Sequence, residues 1–289
     1  MTQYNLCFFV SDLHGKIDRY EKLFVKIEEE KPGALFLGGD LLPHSLKPQK
    51  IDNRVITDFT TEYLINRFDL LKRKMGKGYP SVFVILGNDD ARSEEKHFIA
   101  HSKKALWHYM HFRRKMYEGY NIFGYSYVPP TPFQIKDWER YDVSRYVYPG
   151  CVPPTEGFRT VESTDDIECS TIKKDLEKMA GNMPHGKSIF LFHSPPYKTN
   201  LDRTALDGMT VDHVPLDVHV GSIAIKQFIE DSQPFLTLHG HIHESSRITG
   251  HYMEKTSTSI ALGAAWDGPE LAIIKFDLDN PEDAERELL

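Results

Sequence analysis

Five short runs rich in β-branched or aromatic residues, at 6–10, 34–37, 82–86, 189–192 and 235–238, punctuate an otherwise polar chain. They are continuous rather than alternating, which is the pattern of strands covered on both faces of a sheet. Between the first two, Ile17, Tyr20, Phe24 and Ile27 recur at helical spacing on the charged segment 16–30, and this predicts a β-α-β unit. The same test predicts helices over 59–74 and 223–229 and a further strand over 271–276. An α/β layered fold follows. Over about 92–186 the periodicity is less regular and proline pairs stand at 129–130 and 153–154, so this stretch reads as an elaboration of a single domain spanning 1–289. The acidic segment 277–287 reads as a solvated end.

Each of the five runs ends directly on polar side chains: SDLHG at 11–15, GGD at 38–40, GNDD at 87–90, FHSPP at 192–196 and HGHIHE at 239–244. In open α/β sheets, ligands bind beyond the carboxyl ends of strands, so five distant segments can build one site. Asp12 and His14 are two residues apart, as are His241 and His243, and extended backbone turns such pairs to one side. Taken singly, an Asp after a strand usually caps a turn, and a His is usually structural or exposed. Taken together, a cavity lined by Asp12, Asp40, Asn88 and three or four imidazoles would bury charge at high cost, and it calls for cations.

Composition narrows the partners. A net charge of -7 on 289 residues argues against sequence-independent binding of polymeric nucleic acid, which needs a basic footprint. A small anionic substrate stays possible because bound cations would reverse the local field. Only three cysteines occur, and Cys7 lies inside an apolar run, so a disulfide framework is not expected. The segment MTQYNLCFFVSD lacks the features of a secretory signal, and no apolar stretch approaches the roughly 20 residues of a membrane span. A cytoplasmic location is the expectation.

The ordered set Asp12-Leu13-His14, Gly39-Asp40, Gly87-Asn88-Asp89, His193 and Gly240-His241-Ile242-His243 resembles the motif series of the calcineurin-like metallophosphoesterase superfamily. The stretch YSYVPPTPFQIKDWE, with Pro195-Pro196 and HGHIHES, is similar to a microbial branch of it. The resemblance implies a four-layer α-β-β-α sandwich, two mixed β-sheets flanked by helices. It also implies two divalent cations, with Asp12, His14 and His243 on the first, Asn88, His193 and His241 on the second, and Asp40 bridging. A ligand set of N and O atoms suits manganese, iron, zinc, nickel or cobalt, with manganese favoured. Such a pair activates water for in-line attack on phosphorus, so no protein nucleophile is needed.

Many members of the superfamily carry a histidine after the motif asparagine, where it protonates the leaving oxygen; here Asp89 stands in that catalytic position. Beside two cations its carboxylate form is favoured. Relatives without the histidine often favour diesters, so a phosphodiesterase acting on a small ester is expected. The alternatives are a phosphomonoesterase or nucleotidase, or a non-catalytic scaffold of the same fold. Homo-oligomer formation stays open.

Three features lie outside the motifs. Aromatic residues crowd 107–148 among Arg113, Arg114, Lys115 and Arg145, which suits a stacking surface or, by preference, a satellite core or an oligomer contact. His97, His101 and His108 at helical spacing read as a solvated helix face. His219-Val220-Gly221-Ser222 opens a helix whose free N–H groups could hold an anion, with ordinary capping by Ser222 preferred.

Overall fold

The computed structural model describes residues 5–43, 49–51, 54–164, 166–181 and 185–289. The chain begins β1 (Leu6–Val10), α1 (Ile17–Glu30) and β2 (Ala34–Gly38), followed by a small hairpin of β3 (Gln49–Ile51) and β4 (Arg54–Ile56). A π-helical turn at Phe59–Ile65 leads into α2 (Asn66–Met75), then β5 (Ser81–Ile85), α3 (Glu95–Lys103), β6 (His108–Tyr109), β7 (Arg113–Tyr117) and β8 (Tyr120–Tyr125). After a loop-rich stretch come α4 (Ile172–Ala180), β9 (Ser188–Phe192), a short ribbon of β10 (Thr210–Val211) and β11 (Val214–Pro215), and α5 (Ile223–Ser232). The chain closes with β12 (Leu236–His239), α6 (Ser245–Thr249), β13 (Met253–Thr256), β14 (Ser259–Gly263), β15 (Ala272–Asp277) and β16 (Asn280–Leu288).

Twelve of the strands form two six-stranded sheets. The first runs β16-β15-β1-β2-β5-β6, with β1, β2, β5 and β6 parallel and the β15-β16 hairpin joined to them through antiparallel pairing of β15 with β1. The second runs β13-β14-β12-β9-β8-β7, four parallel strands with antiparallel β13 and β7 at its edges. Both sheets are mixed and helices flank them, as expected for the sandwich.

Side-chain alternation explains why the strands read as unbroken apolar runs. Cys7, Phe9, Phe36, Phe83 and Ile85 of the first sheet join Ile189, Leu191, Leu236 and Leu238 of the second in one cluster between the sheets. Phe8, Val10, Leu35, Leu37, Val82 and Val84, turned the other way, join Tyr20, Leu23, Phe24 and Ile27 of α1. On the second sheet, Phe228 of α5 sits on Phe190 and Phe192, with ring centroids 4.8 and 6.1 Å apart. Fully burying each such side chain contributes about 1.5–3 kcal/mol, which is what holds the helices to the sheets.

The acidic segment 277–287 is not a solvated end. Most of it is edge strand β16, and two of its carboxylates are in ion pairs: Glu287 with Lys26 at 2.9 Å and Lys275 at 2.5 Å, and Glu282 with Lys255 at 2.6 Å. Within 92–186, residues 108–125 supply β6, β7 and β8, so the loop-rich portion narrows to 126–171. Much of the aromatic stretch is core: Trp107 stacks on Phe98 at 5.1 Å, and buried Trp138 meets His111 at 5.0 Å. His97 and His101 lie on α3 but His108 lies on β6, so the three do not share a helix face.

Candidate metal centre

The parallel strands deliver their polar termini to one place. Asp12 and His14 follow β1, Asp40 follows β2, Asn88 follows β5, His193 follows β9, and His241 and His243 follow β12. The side-chain pairs converge, but not through extended backbone: Asp12, His14, Asp40 and His241 have φ of 58°, 46°, 51° and 75°. Left-handed conformations cost non-glycine residues roughly 1–2 kcal/mol each and persist where neighbours over-determine them. Here the first loop is zipped to the second by Asp12 N–H to Gly39 O at 3.0 Å, His14 N–H to Asp40 O at 2.8 Å and Gly15 N–H to Leu41 O at 2.9 Å.

Two groups of ligand atoms result, one from Asp12, His14, Asp40 and His243, the other from Asp40, His193 and His241, each with all atoms within 4.8 Å of one another. Asp40 belongs to both. The Asn88 amide oxygen lies 3.1 Å from His193 Nε2, beside the second group. All seven expected ligands therefore meet. Asp89 sits at their margin, its N–H donating to Asp40 Oδ1 at 2.8 Å and its Oδ2 lying 3.6 Å from His14 Nδ1.

The donor geometry suits cations. His193 Nδ1 donates to the Gly38 carbonyl at 2.7 Å, which turns the Nε2 lone pair toward the cluster. His14 Nε2 and His243 Nε2 face each other at 3.0 Å, and His243 Nε2 also stands 3.2 Å from Asp12 Oδ1. Two lone-pair nitrogens and a carboxylate oxygen crowded this way are best reconciled by a positive charge among them. Gly87 leaves the necessary room, since a Cβ there would strike the Asp40 carboxylate and the His193 ring.

Electrostatics point the same way. Burial works against ionisation of Asp40, yet the charge and hydrogen bond of His193 outweigh it and hold the carboxyl well below its usual range. Burial likewise disfavours charge on His193, but Asp40 beside it wins and raises its pKa to about 10. His241 is pushed down to about 3 by burial and then by the neighbouring charge of His193. Without metal, a proton on His193 offsets the carboxylates; divalent cations would take over that role with the same N and O donors.

Two supports went unnoticed in the sequence. Buried Asp90 accepts N–H groups from Leu41 at 2.9 Å, Leu42 at 2.7 Å and Gly87 at 2.9 Å, tying the GGD loop to the GNDD loop. Arg19 on α1 donates to the Asp12 carbonyl at 2.9 Å and the Gly268 carbonyl at 2.5 Å, clamping the first ligand loop. Asp90 closes the GNDD sequence at 87–90, where nothing in its spacing separates it from an ordinary turn aspartate. The start of α5 offers no open anion site: Ser222 caps it at Ile225 N–H, and Asp142 accepts the N–H groups of Ile223 at 2.7 Å and Ala224 at 3.2 Å.

No curated protein matches the chain. Among solved structures, it is similar to TT1561 of Thermus thermophilus, with a TM-score of 0.55, 15% identity and 99% of each chain covered. It is also similar to a dimetal phosphatase from Danio rerio, with a TM-score of 0.52, 10% identity, and 99% of this chain and 96% of that one covered. At such identities the likeness is one of fold. The calcineurin-like phosphoesterase model matches residues 7–245, a span holding all five strand-end clusters, and the chain belongs to that family.

Proposed function

We propose that the protein is a metal-dependent phosphodiesterase acting on small esters, with Asp12, His14 and His243 holding one divalent cation and Asn88, His193 and His241 a second. The observation that carries this reading is Asp40, whose carboxylate belongs to both ligand groups. When bound, two such cations lower the pKa of water and neutralise phosphate oxygens during in-line attack, and manganese is the favoured metal. The chain's own residues supply orientation. Gly38 fixes the His193 tautomer, Arg19 and Asp90 fix the loops, and Asp89 adds its charge beside His14. A carboxylate at position 89 also repels a dianionic monoester more than a monoanionic diester. Both sheets contribute ligands, which supports reading 1–289 as one catalytic unit. Among the described residues, no helix is long and apolar enough to cross a membrane. The three cysteines are unpaired thiols, which motivates a reducing, cytoplasmic setting.

Under saturating manganese, bis-p-nitrophenyl phosphate should be hydrolysed faster than p-nitrophenyl phosphate; the reverse order would sink the diester preference. Metal analysis separates the enzyme from a scaffold. Well under two metals per chain, not restored by added manganese, would favour the scaffold.

A further inference from the structure

The segment joining His193 to α5 holds an aspartate–histidine pair that the metal ligands do not use. Asp202 is fully buried, and its carboxylate accepts the backbone N–H groups of Lys198 at 2.9 Å, Thr199 at 2.9 Å and Gly221 at 3.0 Å. Its side-chain partner is His219 Nδ1 at 2.7 Å. A ring held this way keeps its proton on Nδ1 toward the carboxylate and directs Nε2 outward. The His219 side chain is 26% exposed, so Nε2 can meet a ligand from solvent.

The pair is strapped between two ligand-bearing loops. On one side, Ser222 N–H donates to Pro195 O at 2.9 Å and Tyr197 N–H to Ser222 O at 3.0 Å, which fastens it to the chain leaving His193. A Cβ on Gly221 would come within 2.8 Å of Pro196 C and 2.9 Å of Asp202 Cβ, so the close approach needs glycine there. On the other side, Arg203 pairs with His219 across a β-bridge, and Ala205 N–H reaches the carboxylate of Glu244, the residue after His243, at 3.4 Å. The segment carrying the dyad is therefore tied both to the chain leaving His193 and to the residue after His243. The groups around the ring are Asp202, Asp217, which accepts the His219 N–H at 2.9 Å, Tyr197 at 6.3 Å between ring centroids, Lys198 over the Tyr197 ring, and Arg203, whose guanidinium turns to Asp207.

We propose that His219, oriented by Asp202, delivers the proton to the leaving oxygen of the ester. This rests on the phosphoesterase reading above, and it fills the step for which the GNDD loop offers only Asp89, turned toward His14. The ring takes part as an imidazolium with a second proton on Nε2: as the bond from phosphorus to the leaving oxygen breaks, its electron pair stays on that oxygen and takes up the Nε2 proton to give the free alcohol. The ring is left neutral with Nδ1–H still on Asp202, and it regains a proton from water.

A histidine that only closed the loop would affect all esters alike, so the test varies the leaving group. Wild type and His219→Gln are compared, at two bound manganese ions per chain, on bis-p-nitrophenyl phosphate and on a dialkyl phosphate assayed for alcohol release. The expected result is a loss on the order of 10²-fold for the alkyl leaving group, whose oxygen needs protonation, against less than about twofold for nitrophenolate. In His219→Ala, added imidazole should restore part of the alcohol release, which guards against a misfolded variant. Equal losses on both leaving groups, or no loss, overturn the proposal. A wild type that cleaves neither ester with both metals bound overturns the phosphoesterase reading, and this one with it.

Discussion

In the loop-rich stretch 126–171, buried Asp137, Glu139 and Asp142 are closed by several protein donors each, whereas Asp12 and Asp40 at the metal centre take one backbone N–H each and otherwise face imidazoles. Asp142 takes Ser222 Oγ at 2.6 Å together with two N–H groups of α5. Asp137 takes Arg92 N–H and Thr160 N–H at 2.8 Å each, and Glu139 takes Lys136 Nζ at 2.6 Å and Thr131 N–H at 2.8 Å. Asp40 takes a backbone N–H from Asp89, and its other oxygen looks at His193 at 3.3 Å. The difference separates carboxylates that hold the architecture together from carboxylates held ready for a charge from outside.

The largest effect should come from crossing that line at Asp40. Asp40→Asn is expected to lower kcat roughly 10³-fold and to leave fewer than two metals per chain. Its metal-free form should melt lower than wild type near neutral pH, because the ion pair that lowers the Asp40 pKa and raises that of His193 is lost. Retained activity with two metals would break the comparison. Next, Asp142→Ala should cost about 2–3 kcal/mol in denaturant unfolding, through the lost cap and charged hydrogen bonds, while metal content stays the same. Metal loss in that variant would show the two regions are not independent.

A smaller effect concerns pH. With the His193 pKa raised to about 10 in the metal-free protein, metal must displace a proton at any lower pH. Apparent affinity should therefore weaken as pH falls from about 8 to about 6, by about tenfold per unit for each proton displaced. Calorimetry in buffers of different ionisation enthalpy counts the released protons, and a pH-independent affinity would contradict the charge balance described. Smallest of all, Asp89→Asn should change metal affinity by less than about tenfold, as expected for a charge that stands beside a ligand at 3.6 Å without a hydrogen bond to it. It should also raise the monoester-to-diester rate ratio about threefold, by removing a repelling charge.

The legible parts of the molecule share a cause. Strands covered on both faces leave unbroken apolar runs, so β1, β2, β5, β9 and β12 could be placed within a residue or two, and the ligands were visible because each directly follows such a run. What stayed hidden depends on contacts distant in sequence. Asp142 reaches Ser222 Oγ across 80 residues, Asp202 meets His219 across 17, and no local pattern announces either bond. β16 was missed for a different reason. Of its nine residues only Pro281 and Ala284 are buried, which leaves no alternation to detect, and its acidic residues imitate a tail.

The same disguise marks how the sheets keep to themselves. An open sheet edge offers unpaired backbone groups to any strand that drifts past, and proteins blunt such edges with charge or brevity. Here β16 carries Glu282, Asp283, Glu285 and Glu287, β7 carries Arg113, Arg114 and Lys115, β13 carries Glu254 and Lys255, and β6 is only two residues long. The edges are thus guarded by the least hydrophobic strands of the fold. Replacing the basic residues of β7 with valine or threonine would turn that edge into a template for aggregation while leaving every metal ligand in place.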